Sequence, residues 1–154
     1  MIYSKRIIEL RDEKNLSQKE IAKYLEIDNS LYAKYEKEYE IIPIKHLNAL
    51  CSYFDVSLDY LFEFTNEKAY QNQNEEINIS KMVTHLKELR KDNKITQEKL
   101  SKELNIARSA LANYERGRNV IATPFLYTIC KKYHISADYL LGKIDKIKIP
   151  ISSK

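Results

Sequence analysis

Leu10-Arg11, Leu16-Ser17-Gln18, Tyr35-Glu36 and Val56-Ser57-Leu58-Asp59-Tyr60-Leu61 return 79 residues later as Leu89-Arg90, Ile95-Thr96-Gln97, Tyr114-Glu115 and Ile135-Ser136-Ala137-Asp138-Tyr139-Leu140. The register holds from Glu9 and Glu88 to Leu61 and Leu140 without an insertion, and Cys51 and Cys130 fall at matching positions. A period this long, present only twice, does not describe a stacked solenoid; it specifies two folded units of one kind. The 154 residues therefore divide into two domains of about sixty residues each, small enough that each core is marginal.

Each copy reads as five short helices. Ile7 and Leu10 mark the buried stripe of the first, which ends near Asn15. Ser17 with Glu20 three residues on is a capping box that opens the second, whose buried face carries Ile21 and Leu25. Asp28 is placed to cap a third helix running to about Lys37. Leu47, Leu50 and Phe54 define the fourth, and Ser57 caps a last turn bearing Leu58 and Leu61. The second copy repeats the plan with Leu86, Leu89, Leu100, Leu104, Leu111, Leu126, Ile129 and Leu140, and Thr123-Pro124 reads as N-cap and first residue of its fourth helix. No stretch alternates as a strand does, so the fold class is all-α. The expected boundaries are 1–64 for the first domain, 65–80 for a polar linker, 81–143 for the second domain and 144–154 for a basic tail. The linker reads as a solvated spacer, with a helix through part of it as the alternative.

Several function classes are disfavoured. The longest apolar runs are a few residues, far short of a membrane span, and Met1 to Arg6 lack the apolar core of a signal peptide. The expected location is therefore the cytoplasm. The two glycines, Gly117 and Gly142, belong to no phosphate-cradling loop. His46, His85 and His134 have no companion at metal-ligand spacing, no serine or cysteine has a base in recognisable context, and the two cysteines lie in apolar helical segments. An enzyme, a cofactor, a metal and a small-molecule ligand are all unsupported. The twelve tyrosines suggest base stacking, but pairs such as Tyr35/Tyr114 and Tyr60/Tyr139 recur between copies at helical positions, which suits packing better.

Two short helices joined by a tight turn, the second opening into a polar face, follow the helix-turn-helix plan. With its Leu-Arg, Leu/Ile-Ser/Thr-Gln, Tyr-Glu and Val/Ile-Ser-x-Asp-Tyr-Leu elements, the chain resembles the phage-repressor and Cro-like helix-turn-helix family, also called the xenobiotic-response-element type, over residues 4–62 and 83–142. The resemblance implies two tandem five-helix, lambda-repressor-like domains that bind double-stranded DNA, with the third helix of each in the major groove. Carried over residue by residue, the base-reading positions are Asn29, Ser30 and Lys34 in the first copy and Arg108, Ser109 and Asn113 in the second. Gln18 and Gln97 fall at a phosphate-contact position, and Arg11–Glu36 and Arg90–Glu115 at an internal ion pair. Arg108 suits guanine and Asn113 adenine, while Arg116 and Arg118 suit phosphates.

The copies differ where DNA would lie. Residues 2–62 hold 9 Lys/Arg against 11 Asp/Glu, whereas residues 81–142 hold 12 against 6. Glu26, Glu38 and Glu40 stand where the second copy has Asn105, Gly117 and Asn119. Carboxylates facing a phosphate rail oppose binding, and glutamate tolerates a left-handed turn poorly, so the first turn should be strained or differently shaped. Against this, Ala107 replaces a polar N-cap at the second recognition helix, at a cost of about 1 kcal/mol. The expectation is a transcriptional regulator with the second copy as principal reader. The first copy is either a second reader, making a covalent pseudo-dimer, or a homodimerisation module. A protein-binding antitoxin or antirepressor is the alternative class.

Overall fold

The computed structural model describes residues 3–146, so the basic tail beyond Lys146 lies outside the described residues. Ten helices and no strand occur among them. The first unit contains α1 (Tyr3–Glu13), α2 (Gln18–Leu25), α3 (Asn29–Glu36), α4 (Ile44–Phe54) and α5 (Leu58–Leu61). The second contains α6 (Ile79–Asp92), α7 (Gln97–Leu104), α8 (Arg108–Glu115), α9 (Thr123–Tyr133) and α10 (Ala137–Leu140). The periodic apolar residues are buried, and those of both units join in one continuous cluster. No helix is long and apolar enough to cross a membrane.

Local chemistry sets most of the boundaries. Ser17 accepts from the Glu20 amide while the Glu20 carboxylate accepts from the Ser17 amide, completing the capping box of α2. Thr96 accepts from the Lys99 amide at α7, but a lysine cannot return the bond, so that box is half formed. Two expected caps differ from the fold. Asp28 occupies the N-cap position of α3 without making a side-chain bond. At α9 the N-cap is Ala122 and Thr123 is already helical; the Thr123 hydroxyl instead donates to the Ile42 carbonyl of the other unit at 2.6 Å.

The units meet along α5 and α10. Asp59 Oδ1 accepts from the Ala137 amide at 2.7 Å, and its Oδ2 from the Ser136 and Tyr70 hydroxyls. Asp138 returns the contact, Oδ1 accepting from the Leu58 amide at 3.0 Å and Oδ2 from the Asp59 amide at 2.8 Å. Asp138 thus satisfies two first-turn amides of α5 and Asp59 one of α10, groups that have no partner within their own helix. Both are fully buried. Burial, then the charge of Asp138, pushes the Asp59 carboxyl above its ordinary range. Alongside, the Tyr127 ring packs on Phe62 and Phe64 with centroids 5.5 and 5.3 Å away. Cys51 and Cys130 are unpaired and buried, and burial raises the Cys51 thiol to about 12.

The connector is exposed over most of its length, as its composition suggests, and it is not a helix through to α6, which begins at Ile79 behind an Asn78 cap. It runs across the ends of both units as irregular chain held by backbone groups. The Ser57 amide donates to the Lys68 carbonyl at 2.8 Å, and Gln73 Nε2 to the Val56 carbonyl at 3.0 Å. Farther along, the Asn74 and Asn78 amides donate to the Lys143 and Leu141 carbonyls. Polar residues here make poor core but good hydrogen-bonding partners for chain ends.

Candidate nucleic-acid interface

The scaffold that aims the recognition helices is identical in the two units. Arg11 Nε and Nη2 donate to the two Glu36 oxygens at 2.7 and 2.9 Å, and Arg90 donates to Glu115 in the same way at 2.7 and 2.8 Å. Each arginine also donates Nη1 to the chain just before α2 or α7, at Leu16 or Ile95. A planar guanidinium is suited to this, since its fork holds a carboxylate and a carbonyl at once. The pair therefore ties the first helix to the end of the recognition helix and to the loop between. Burial alone would raise the Glu36 carboxyl, but hydrogen bonds led by that of Arg11 outweigh it and hold it below its ordinary range.

Gln18 and Gln97, expected at phosphate, lie at the N-termini of α2 and α7 and donate Nε2 to Glu36 at 2.9 Å and Glu115 at 3.1 Å. They are half-buried members of the ion-pair cluster. A primary amide carries two N–H groups, so one is left for a further acceptor.

Asn29, Ser30 and Lys34 are exposed on α3, and Arg108 and Ser109 are exposed on α8; Asn113 is half-buried. Ser30 and Lys34, like Ser109 and Asn113, are four apart and share one helix face. Arg116 and Arg118 are exposed just beyond α8. Ala107 and Asp28 have nearly the same backbone (φ −67, ψ 145 and φ −68, ψ 145) and neither makes a cap bond. The expected disadvantage of Ala107 relative to the first copy is therefore absent.

The turns also coincide. Glu26 (φ 58, ψ 42) and Asn105 (φ 56, ψ 45) both adopt the left-handed conformation, so the first turn keeps its shape and carries the strain of a glutamate there, about 1–2 kcal/mol. After the recognition helix, Glu38 (φ 61) makes the turn that Gly117 (φ 74) makes in the second unit. A Cβ on Gly117 would meet Ile79 and Val83 at 3.2 and 3.3 Å. In the first unit the counterpart of Val83 is the smaller Ser4.

The copy-by-copy comparison also brings out residues not singled out from the sequence. Tyr39 and Ile41, 76% and 53% exposed, stand where the second unit has Arg118 and Val120. Exposed Tyr24 and Tyr53 pack together at 4.5 Å, where the second unit has the Glu103–Lys132 ion pair at 3.2 Å. The signal was present in the repeat alignment, as aromatic residues opposite charged ones.

Comparison with known proteins agrees with this architecture. Residues 7–61 match a family described as helix-turn-helix, and residues 84–146 match one described as a helix-turn-helix domain. The HTH-type transcriptional regulator ImmR of Bacillus subtilis is 41% identical over 58 residues, which is 38% of this chain and 46% of that protein. The uncharacterized HTH-type transcriptional regulator YobD of Bacillus subtilis is 35% identical over 60 residues, 39% of this chain and 54% of that protein. The antitoxin PezA of Streptococcus pneumoniae is 31% identical over 67 residues, 44% of this chain and 42% of that protein. The chain thus spans about half the length of these relatives. No solved structure gives a significant match.

Proposed function

Because the chain belongs to the phage-repressor and Cro-like helix-turn-helix family and carries the domain twice, we propose that it is a sequence-specific, double-stranded-DNA-binding transcriptional regulator. It acts without catalysis, in the cytoplasm, and its principal reader is the second unit. The observation that carries this reading is the exposed edge of α8: Arg108 at its first turn and Arg116 and Arg118 at its end, with no carboxylate on the corresponding turn. A surface of that sign favours the phosphate rail.

The roles follow from the donors available. Arg108 reads guanine O6 and N7, Asn113 reads adenine N6 and N7, and Ser109 reads an adjoining base edge. Arg116, Arg118 and the remaining N–H of Gln97 hold phosphates, as do the uncapped amides that open α8. In the first unit Asn29, Ser30, Lys34 and Gln18 form the corresponding but weaker surface, opposed by Glu26, Glu38 and Glu40. Arg108→Ala should weaken binding to a selected site by about 1–3 kcal/mol, and Lys34→Ala by less. Fluorescence anisotropy measures both, and equal losses would remove the assignment of a principal reader.

The similarity to PezA supports a second reading, in which the chain is an antitoxin that binds a protein and has little DNA affinity of its own. Absence of binding at low salt would select it, since nonspecific attraction survives there in a DNA reader. A homodimer through the first unit would have to use a face other than α5, which α10 already covers. The exposed Tyr24–Tyr53 edge is the apolar alternative.

A further inference from the structure

The two halves of the α5–α10 contact correspond through the repeat. Asp59 Oδ1 accepts from the Ala137 amide, and Asp138 Oδ1 accepts from the Leu58 amide, its counterpart 79 residues earlier. The second bond of each half differs, Asp59 Oδ2 accepting from the Ser136 hydroxyl and Asp138 Oδ2 from the Asp59 amide. A contact in which residue i meets j while j's copy meets i's copy is isologous, and isologous contacts have a two-fold axis. A half-turn leaves position along its axis unchanged. It therefore places α3 and α8 at one height on that axis, and holds them at one fixed separation.

Three features make this arrangement rigid. Opening it would strip the partners from two buried carboxylates and from the amides of Leu58, Asp59 and Ala137, groups that are costly to leave unpaired. It would also divide a continuous apolar cluster. The connector has no slack to release, being bonded to Ser57 and Val56 on one side and to Leu141 and Lys143 on the other.

We propose that the chain meets DNA as a single rigid two-headed reader: one polypeptide on one operator, whose two unlike half-sites stand at one fixed spacing set by the Asp59–Asp138 contact. This rests on the DNA-binding reading above. The half-sites are unlike because α3 presents Asn29, Ser30 and Lys34 where α8 presents Arg108, Ser109 and Asn113. Asp59 and Asp138 act as positioning residues, touching no DNA.

The test begins with selection of sites from a random duplex pool by the full chain, followed by native mass spectrometry and a spacing series. One chain per operator is expected. Inserting about 5 or about 10 base pairs between the half-sites, half a helical turn or a whole one, should each lower affinity about tenfold or more. A flexible tether would instead recover at the whole-turn insertion. Recovery there, a symmetric site holding two chains, or a site with a single half would each overturn the proposal. No binding even at low salt would remove the DNA reading itself, and this inference with it, through a separate readout. Asp138→Asn adds a check on mechanism: an amide accepts through one oxygen only and cannot serve both Leu58 and Asp59. It should at least halve the penalty for the whole-turn insertion, and an unchanged penalty in a folded variant would remove Asp138 from the positioning role. If that variant does not fold, the insertion series on the wild-type chain still decides the proposal.

Discussion

Glu38 and Gly117 make the same left-handed turn at the end of the recognition helix, one with a charged side chain and the other with none. Just beyond that turn the first unit carries Tyr39 and Glu40 and the second Arg118 and Asn119, and in the turn before the recognition helix Glu26 stands where the second has Asn105. At the internal ion pair the differences stop: Arg11–Glu36 and Arg90–Glu115 agree to within 0.1 Å in each of their two bonds. A duplicated domain can thus keep its backbone while one copy's outer edge changes sign. The first unit even tolerates glutamate at three positive-φ positions, Glu26, Glu38 and Glu63, where the second unit has Asn105, Gly117 and Gly142 at positive φ as well. Shape is set by the ion pair and the core, and the two copies differ at the edge.

The sharpest way to break this comparison is to remove the shared part. Arg11→Ala and Arg90→Ala should each cost about 3–5 kcal/mol, because each strands a nearly buried carboxylate. Urea denaturation followed by far-ultraviolet circular dichroism measures this; a loss at one site only would mean that the scaffolds are not equivalent. Next in size, Glu26→Gly and Glu38→Gly should each stabilise by about 1 kcal/mol by relieving a left-handed glutamate. Asn105→Gly should gain less, and a thermal melt that ranks them otherwise would contradict the strain assigned to the first unit.

Smaller again, Arg118→Ala should reduce the slope of log affinity against log salt by about 1, while Tyr39→Ala at the matching position should leave it unchanged. The last difference appears with pH. Glu36 sits below its ordinary value, so its stabilisation is intact above about 4.3 and is lost as pH falls through the lower folded value. Asp59 sits above its ordinary value, so its contribution is present below about 3.9 and is lost as pH rises through the higher folded value. Melting temperature against pH should therefore fall less steeply toward acid in Glu36→Gln. It should decline less on the rising side of that window in Asp59→Asn. Parallel curves for wild type and both variants would contradict the two assignments.

Much of the fold could be read from local patterns. The Ser17–Glu20 box and the apolar spacing locate α2, and the matching Arg and Glu positions carry the ion pair. Several of the features that could not be read share a cause: partners supplied by the other unit. Thr123-Pro124 has the form of a helix start, yet the Ile42 carbonyl claims the threonine hydroxyl. Asp59 and Asp138 stand in plain view within the repeated motif, but nothing nearby in sequence says that each faces the other's helix. The connector's polarity suggests solvent, and most of it is exposed, but Lys68, Gln73, Asn74 and Asn78 also bond to the chain around α5 and α10. Of the candidate readers, Asn29, Ser30, Lys34, Arg108 and Ser109 lie on exposed helical surface where their offsets placed them. Asn113 is half-buried because α8 turns it partly toward the body of the unit.

The separate encoding of α3 and α8 has a consequence for how such a chain changes over generations. In a symmetric pair built from two copies of one polypeptide, a mutation in the recognition helix appears twice and alters both halves of the target at once. Here a mutation in α8 leaves α3 as it was. On the two-headed reading proposed above, each half of the target can drift and be followed by a single compensating substitution, without passing through a state in which both contacts are lost.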